Sequence, residues 1–179
     1  GKGKDLRNLR EKLIKAKSEV GILCMSQNYK NILMWSHYAK NHEGLCFGFD
    51  FKLFEDVRIK NSQVSYPEND EYELISFFTP AKGEIRRMFT TKSEFWSYEE
   101  EVRFLDLAGG KTLGAKKFIK ECLKEVIFGC KADETNIKKI IQLCQLNGFS
   151  HVKFKKAKLI SGKFALDFDE INKNDYLEN

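Results

Sequence analysis

Apolar side chains recur every three or four residues in two segments of the chain, and this spacing is typical of one face of an α-helix. The first segment covers residues 5–20, where basic residues occupy the opposite face. The second covers residues 133–147, with Asp133 at the N-cap position and Gly148 just beyond the end. Both segments are therefore predicted to be amphipathic helices.

Shorter apolar runs, bounded by glycine, proline or polar residues, predict β-strands. They cover residues 21–25, 45–49, 57–66, 102–107, 125–128, 151–160 and 163–168. The last two runs alternate in polarity around Ser161-Gly162, which predicts a terminal hairpin. Helices are also predicted at residues 28–40 and 81–91, whereas residues 72–79 fit either a strand or a helix.

These elements predict an α+β fold, with a mixed, mostly antiparallel sheet and about four helices. The chain of 179 residues suits a single domain, which we expect to cover residues 1–170. Residues 171–179 are mostly polar and are expected to form a frayed tail.

Composition narrows the class of protein. No apolar run approaches the roughly 20 residues of a membrane span, and no secretory leader is visible, so we expect a cytoplasmic protein without a membrane partner. The five cysteines form no CxxC pair, which indicates buried thiols in a reducing compartment rather than a disulfide frame or a metal site. The net charge of +5 permits contact with nucleic acid or phosphates but does not by itself indicate it.

The predicted helix at residues 28–40 has an unusual face. Residues three and four apart share a helix face, so Trp35, Tyr38 and His42 form one stripe, and His37 lies on the stripe beside it. Side chains with an apolar body and a polar tip suit the wall of a pocket for a flat polar ligand. The alternative is that the aromatic rings belong to the core and the histidines are solvated.

A second unusual stretch, from Trp96 to Arg103, is rich in rings and acids. If residues 99–103 are extended, Glu99, Glu101 and the arginine point to one face. Two carboxylates and a guanidinium in this arrangement can hold a ribose hydroxyl, stabilise a cation or take a proton. The alternative is a surface strand with an ordinary Glu–Arg ion pair, which contributes little.

Other catalytic signatures are missing from the sequence. Gly109-Gly110 lacks the spacing of a phosphate-binding loop, and no GxGxxG motif follows a predicted strand. No Ser–His or Cys–His nucleophile pair is identified, because Ser36 and His37 are neighbours that point to different helix faces. The lysines within residues 153–158 lack interleaved exposed aromatics, so nucleic-acid binding is only weakly indicated.

Three motifs occur in order along nearly the whole chain. The first is Leu-Met-Trp-Ser-His-Tyr-Ala at residues 33–39, which follows a strand ending in Ser26 and precedes Gly44. The second motif comprises Lys92, Trp96, Tyr98, Glu99, Glu101 and Arg103. The third is an apolar strand ending in Gly129 before a helix. Together the three motifs resemble the bacterial family known as domain of unknown function 2971.

One part of the family pattern is missing here. Family members also begin with a strand containing tyrosine and arginine, and they carry a later Asn-Asp-Pro turn. Neither feature occurs in this sequence. The resemblance therefore implies either a truncated member of the family or a member whose first strand, with any site residues on it, precedes this sequence.

The family layout is similar to the ADP-ribosyltransferase superfold, in which a split sheet holds nicotinamide adenine dinucleotide (NAD). This resemblance implies that Glu101 is the catalytic carboxylate, that Glu99 orients the acceptor or the ribose, and that Arg103 holds a phosphate or fixes the glutamates. It implies NAD as a substrate, no covalently bound cofactor, and a role in phage defence or toxin action. The other implied NAD contacts are Ser26, Trp35, His37, Tyr38, Lys92 and Trp96.

Two other hypotheses remain open. One is a non-catalytic module that binds a nucleotide, a dinucleotide or a nucleic-acid end without turnover. The other is a structural domain in which the same motifs form buried polar networks. Only the catalytic hypothesis requires two parts of the chain to face each other across one pocket. They are the helix face with Trp35 and Tyr38, and the stretch from Trp96 to Arg103, which we call the acid-rich stretch.

Overall fold

The computed structural model describes residues 11, 14, 20–51, 59–71, 82–106 and 117–177. The chain clusters into two compact units, each assembled from two separate stretches. Unit 1 comprises Gly1–Gln27 and Asp56–Lys116, and unit 2 comprises Asn28–Glu55 and Lys117–Asn179. This division does not decide the prediction of one domain over residues 1–170.

The described part of the chain contains both α-helices and mostly antiparallel strands, which confirms the predicted α+β class. The strands are β1 Gly21–Ser26, β2 Leu45–Phe49, β3 Ile59–Gln63, β4 Glu101–Asp106, β5 Leu123–Phe128, β6 Lys153–Leu159 and β7 Leu166–Ile171. The α-helices are α1 Ile32–Tyr38, α2 Lys82–Thr90 and α3 Glu134–Leu146. Across the described residues, each helix is too short or too polar to cross a membrane.

Some predicted elements lie outside the described residues. Of the helix predicted at residues 5–20, Glu11 and Ile14 are described and are helical, and the rest lies outside. The segment at residues 72–79 and the turn at residues 108–110 also lie outside. These predictions stay predictions.

The described strands form two sheets, whereas one sheet was predicted. Unit 1 holds an antiparallel sheet of order β1-β4-β3, and unit 2 holds a sheet of order β2-β5-β6-β7. In the second sheet the β5–β6 pair is parallel and the other pairs are antiparallel, so the described sheets are mostly antiparallel, as predicted. The number of sheets was wrong because apolar alternation indicates which face of a strand is buried but not which strand it pairs with.

The sheet of unit 1 places polar side chains of three strands on one face. Ser26 lies opposite Glu101, and both Cys24 and Ser62 lie opposite Arg103. Directly opposite residues on antiparallel strands point to the same face. The pairing register therefore gathers residues from β1, β3 and β4 around the acid-rich stretch.

The sheet of unit 2 has a core on each face. Val126 and Phe128 of β5 pack with Ile137 of α3. Between them in sequence, Ile127 belongs to a second core cluster with Trp35 of α1. Residues 126–128 of β5 are all apolar because helices cover both faces of this part of the strand.

The carboxyl-terminal elements of unit 2 largely follow the sequence predictions. The Asp133 side chain caps α3 by accepting from two backbone N–H groups, and Leu159 pairs with Leu166 in the terminal hairpin. The predicted frayed tail is wrong as far as Leu177. Tyr176 and Leu177 pack against the core beside α3, and the Tyr176 hydroxyl donates to Glu134 at 2.9 Å.

Candidate functional site

The acid-rich stretch of unit 1 bends before it becomes a strand. Glu94–Glu99 form a 3-10 helix, Glu100 has a left-handed backbone with φ 45° and ψ 51°, and β4 begins at Glu101. The condition of an extended backbone over residues 99–103 is therefore not met at its first two positions. The bend still brings Glu99 and Glu101 together, since both contact the same lysine.

Two carboxylates and two cations form what we call the carboxylate cluster. It consists of Lys92, Glu99, Glu101 and Arg103. The Lys92 ammonium donates to Glu99 Oε2 and lies 3.5 Å from Glu101 Oε2. Arg103 donates twice to Glu101, from Nε to Oε1 at 2.8 Å and from Nη2 to Oε2 at 3.0 Å. Bidentate pairing fixes both the position and the orientation of the Glu101 carboxylate.

Both carboxylates are removed from solvent. Glu99 is 3% exposed and Glu101 is 4% exposed, whereas the side chain of Lys92 is 23% exposed. An ionised carboxylate is costly to bury unless cations and hydrogen bonds compensate for lost hydration. The cluster supplies both, and Lys92 is its most exposed member.

The surroundings of Glu101 keep it ionised. Burial raises the pKa of Glu101, but hydrogen bonds from Arg103 and Cys24 and the charges of Arg103 and Lys92 outweigh burial and lower this pKa to about 2. The hydrogen bonds to Glu101 in turn raise the pKa of Arg103. Glu101 is therefore a charged acceptor at neutral pH, suited to stabilise a cation and unsuited to donate a proton.

Backbone groups from other segments hold the two cations. Nη1 of Arg103 donates to the carbonyl oxygen of Phe89 in α2 at 2.8 Å. The backbone N–H of Lys92 donates to the carbonyl oxygen of Ser65 at 3.0 Å. The cluster is therefore supported by residues far apart in sequence.

Three further side chains lie around the cluster. The Lys92 ammonium is 4.8 Å from the centre of the Trp96 ring, and Trp96 is 38% exposed. Ser26 and Cys24 are exposed residues on the polar face of the sheet. Desolvation of the Cys24 thiol, together with its hydrogen bond to Glu101, raises the pKa of Cys24 to about 11, so this cysteine is a thiol at neutral pH.

The low pKa of Glu101 predicts that acid destabilises the protein. The folded value of about 2 lies below the ordinary value of 4.5, so the contribution of Glu101 to stability is present above pH 4.5 and is lost as the pH falls towards 2. We expect the free energy of unfolding to fall more steeply over this range in the wild type than in Glu101→Gln. Urea titrations of both proteins at neutral pH and at about pH 3 measure the difference. Equal losses in the two proteins would contradict the assignment.

In unit 2, α1 is shorter than the predicted helix. It spans Ile32–Tyr38 rather than residues 28–40, because the Asn31 side chain caps it by accepting from the Leu33 N–H at 2.9 Å. Residues 40–42 then have positive φ values of 47°, 52° and 72°. A left-handed backbone ends a helix.

The predicted stripe of Trp35, Tyr38 and His42 does not form. Trp35 is 2% exposed in the core, and its indole N–H donates to the carbonyl oxygen of Tyr29 at 2.6 Å. A ring sealed in the core packs the protein and does not line a pocket, so the expected NAD contact at Trp35 is corrected. Tyr38 is 63% exposed, and the exposed His37 ring lies 6.4 Å from it. The ligand roles of His37 and Tyr38 stay predictions.

The turn after α1 pairs His42 with Ser36, which the sequence analysis did not identify. Ser36 Oγ lies 2.9 Å from His42 Nε2 and donates to the Ile32 carbonyl oxygen at 3.2 Å. His42 is 7% exposed, and burial and then the charge of Lys131 lower its pKa. Its Nδ1 has no hydrogen-bond partner among the residues that the structure describes. In the part of the chain that the structure describes, no third group orients the histidine, so we interpret the pair as a support of the turn.

The carboxylate cluster lies within a sequence segment that other proteins share. Residues 34–104 match the model of a family described as protein of unknown function (DUF2971). This confirms the predicted family over less than half of the chain. The curated proteins and the solved structures gave no significant match, and the ADP-ribosyltransferase superfold stays a prediction.

Two neighbours of the cluster were missed by the sequence analysis. Tyr66, inside the DUF2971 segment, accepts the backbone N–H of Glu101 on its hydroxyl at 2.9 Å. No local pattern indicates this contact, because the two residues are 35 positions apart. The sequence did contain an indication that Cys24 lies near the site. Cys24 stands two residues before Ser26 on the same strand, so the two side chains point to the same face.

Proposed function

We propose that this protein transfers ADP-ribose from NAD to an acceptor, and that the Glu101 carboxylate stabilises the positive charge that forms on the ribose. The observation that supports this most is a buried carboxylate kept ionised at the first residue of β4, with Glu99 beside it. A fixed negative charge in a site largely closed to water stabilises a developing cation better than water does. The proposal uses residues of unit 1 alone.

The proposed reaction begins with cleavage of the bond between ribose C1 and the nicotinamide nitrogen. Nicotinamide leaves as a neutral base with the bonding electron pair, and the positive charge moves to C1 and the ring oxygen. The nucleophile of the acceptor then bonds to C1 and releases its proton to solvent. Glu101 does not take that proton, because a carboxylate with a pKa of about 2 is too weak a base.

Lys92 and Trp96 provide the part of the site that is most open to solvent. The exposed indole ring suits stacking with a base, and the ammonium above it suits a phosphate oxygen. In this proposal the lysine turns from Glu99 towards a phosphate of NAD. Glu99 then accepts a hydrogen bond from a ribose hydroxyl.

The central test is Glu101→Gln. The amide has the shape of the carboxylate but no charge, so we expect the release of nicotinamide from NAD to slow by about 100-fold or more. Chromatography of the released nicotinamide measures the rate, and circular dichroism checks that the variant is folded.

The matched control is Glu100→Gln. Glu100 is exposed and adjacent in sequence, and its side chain is not part of the cluster, so this variant should keep the wild-type rate. If Glu101→Gln also keeps that rate, Glu101 does not stabilise the transition state.

The burial of the two carboxylates favours a second candidate function, a nucleotide-binding module without turnover. Glu99 and Glu101 are 3% and 4% exposed, and both are paired with cations. Under this function ADP-ribose binds at Lys92 and Trp96, its affinity falls with added salt, and no nicotinamide is released from NAD. Calorimetric titration with ADP-ribose, run beside the NAD assay, separates the two functions.

A further inference from the structure

Tyr66 lies beside the carboxylate cluster without hydrogen-bonding to either carboxylate. Its hydroxyl oxygen accepts the backbone N–H of Glu101 at 2.9 Å. Burial raises the pKa of Tyr66 and outweighs the hydrogen bond from the Glu101 backbone, which lowers it. The charges of Glu101 and Glu99 raise this pKa and the charge of Lys92 lowers it, so the phenol lies close to the charged groups of the cluster. Within residues 20–51, 59–71 and 82–106, the structure shows no acceptor for the phenol proton.

The segment that carries Tyr66 also aligns the members of the cluster. The Val64 N–H donates to the Glu101 carbonyl oxygen at 2.9 Å, and the Ser65 carbonyl oxygen accepts the Lys92 N–H at 3.0 Å. The Tyr66 hydroxyl is therefore held at a fixed distance from Glu101 before any ligand binds. A donor held in place in this way needs little reorganisation to bind a ligand.

An uncharged oxygen is the acceptor that suits the proton of Tyr66. The two cations of the cluster, Lys92 and Arg103, are each already paired with a carboxylate, so an anionic group placed against the phenol would find no unpaired charge in the cluster to stabilise it. A neutral carbonyl oxygen needs no such charge. It also pairs a half-buried donor that a docked ligand would otherwise cut off from water.

We propose that the Tyr66 hydroxyl donates to the carboxamide oxygen of the nicotinamide group of NAD. This assignment rests on the proposed NAD function and makes Tyr66 a ligand-binding residue. It places the leaving group next to Tyr66 and leaves the ADP-ribose part of NAD to the other residues of the site.

The test compares the wild type with Tyr66→Phe by calorimetric titration. Nicotinamide should bind the variant about three- to tenfold more weakly, whereas ADP-ribose, which lacks the carboxamide, should bind both proteins equally. Thionicotinamide carries sulfur, a weaker acceptor, in place of the oxygen. It should bind the wild type more weakly than nicotinamide does, and Tyr66→Phe should not distinguish the two probes.

Tyr176→Phe is the control, because it also removes one tyrosine hydroxyl hydrogen bond, and it should bind nicotinamide as the wild type does. If Tyr66→Phe weakens all three probes equally, the hydroxyl is only structural and the inference fails. If the variant binds nicotinamide as tightly as the wild type, the inference fails while the NAD function stands. If the wild type binds neither nicotinamide nor ADP-ribose, the proposed function fails and the inference with it.

Discussion

Replacing Arg103 with methionine is expected to lower the free energy of unfolding by about 3–5 kcal/mol. The change leaves the ionised Glu101 carboxylate, 4% exposed, without its bidentate partner. It also leaves the Phe89 carbonyl oxygen without the donor at 2.8 Å. Methionine is unbranched and polarisable, so lost packing contributes little to the effect. Urea unfolding followed by circular dichroism measures the difference from the wild type.

The double variant Glu101→Gln with Arg103→Met serves as the control for this effect. It removes the buried charge of Glu101 together with the charge of Arg103. Removing both members of a buried ion pair destabilises a protein less than removing one member, which leaves the other charge buried without compensation. The double variant should therefore be more stable than Arg103→Met alone. If Arg103→Met costs less than about 1 kcal/mol, the pair is not buried in solution as the structure has it.

Gly129→Ala is expected to lower the free energy of unfolding by more than about 3 kcal/mol. A Cβ atom on Gly129 would lie 2.0 Å from the carbonyl oxygen of His42 and 2.6 Å from its carbonyl carbon. These are backbone atoms, which cannot rotate out of the way as a side chain can. Any shift strains two hydrogen bonds, from the Gly129 N–H to the Gly44 carbonyl oxygen at 2.9 Å and from the Lys131 N–H to the His42 carbonyl oxygen at 3.0 Å.

Lys131→Ala is the matched control for Gly129→Ala. Its side chain is exposed, and the variant keeps the backbone N–H that bonds to His42. Its free energy of unfolding should stay within about 0.5 kcal/mol of the wild-type value. Thermal unfolding of the three proteins gives the comparison. A Gly129→Ala protein as stable as Lys131→Ala would show that the turn after α1 adjusts at little cost.

The elements predicted correctly are those whose signals are local. Helix α3 carries its own apolar face and its own cap at Asp133, and the terminal hairpin alternates around Ser161-Gly162. Local rules apply to such segments because the residues that decide them are close in sequence. The end of α1 was missed because it depends on a turn with positive φ values at residues 40–42, and that turn bonds to the loop after β5 through the Lys131 N–H and the His42 carbonyl oxygen.

The candidate site was predicted in part for the same reason. Glu101 and Arg103 share a face because they are two apart on one strand, which alternation alone indicates. Lys92 was included in the predicted site only because it belongs to a family motif. The bend at Glu100 was not predicted, because glutamate rarely adopts a left-handed backbone. Tyr66 could not be predicted, because its contact with Glu101 depends on how β3 and β4 pair.

The interleaving of the two units sets an order for folding during synthesis. Unit 2 begins with α1 and β2, but β2 pairs with β5, and the whole stretch of unit 1 from Asp56 to Lys116 is made between them. At the usual speed of a ribosome, β2 leaves the exit tunnel roughly 4–15 s before its partner does. Its apolar edge is open to chaperones or to neighbouring nascent chains during that wait. Unit 1 can close first, whereas unit 2 cannot close until β5, β6 and β7 have also been made.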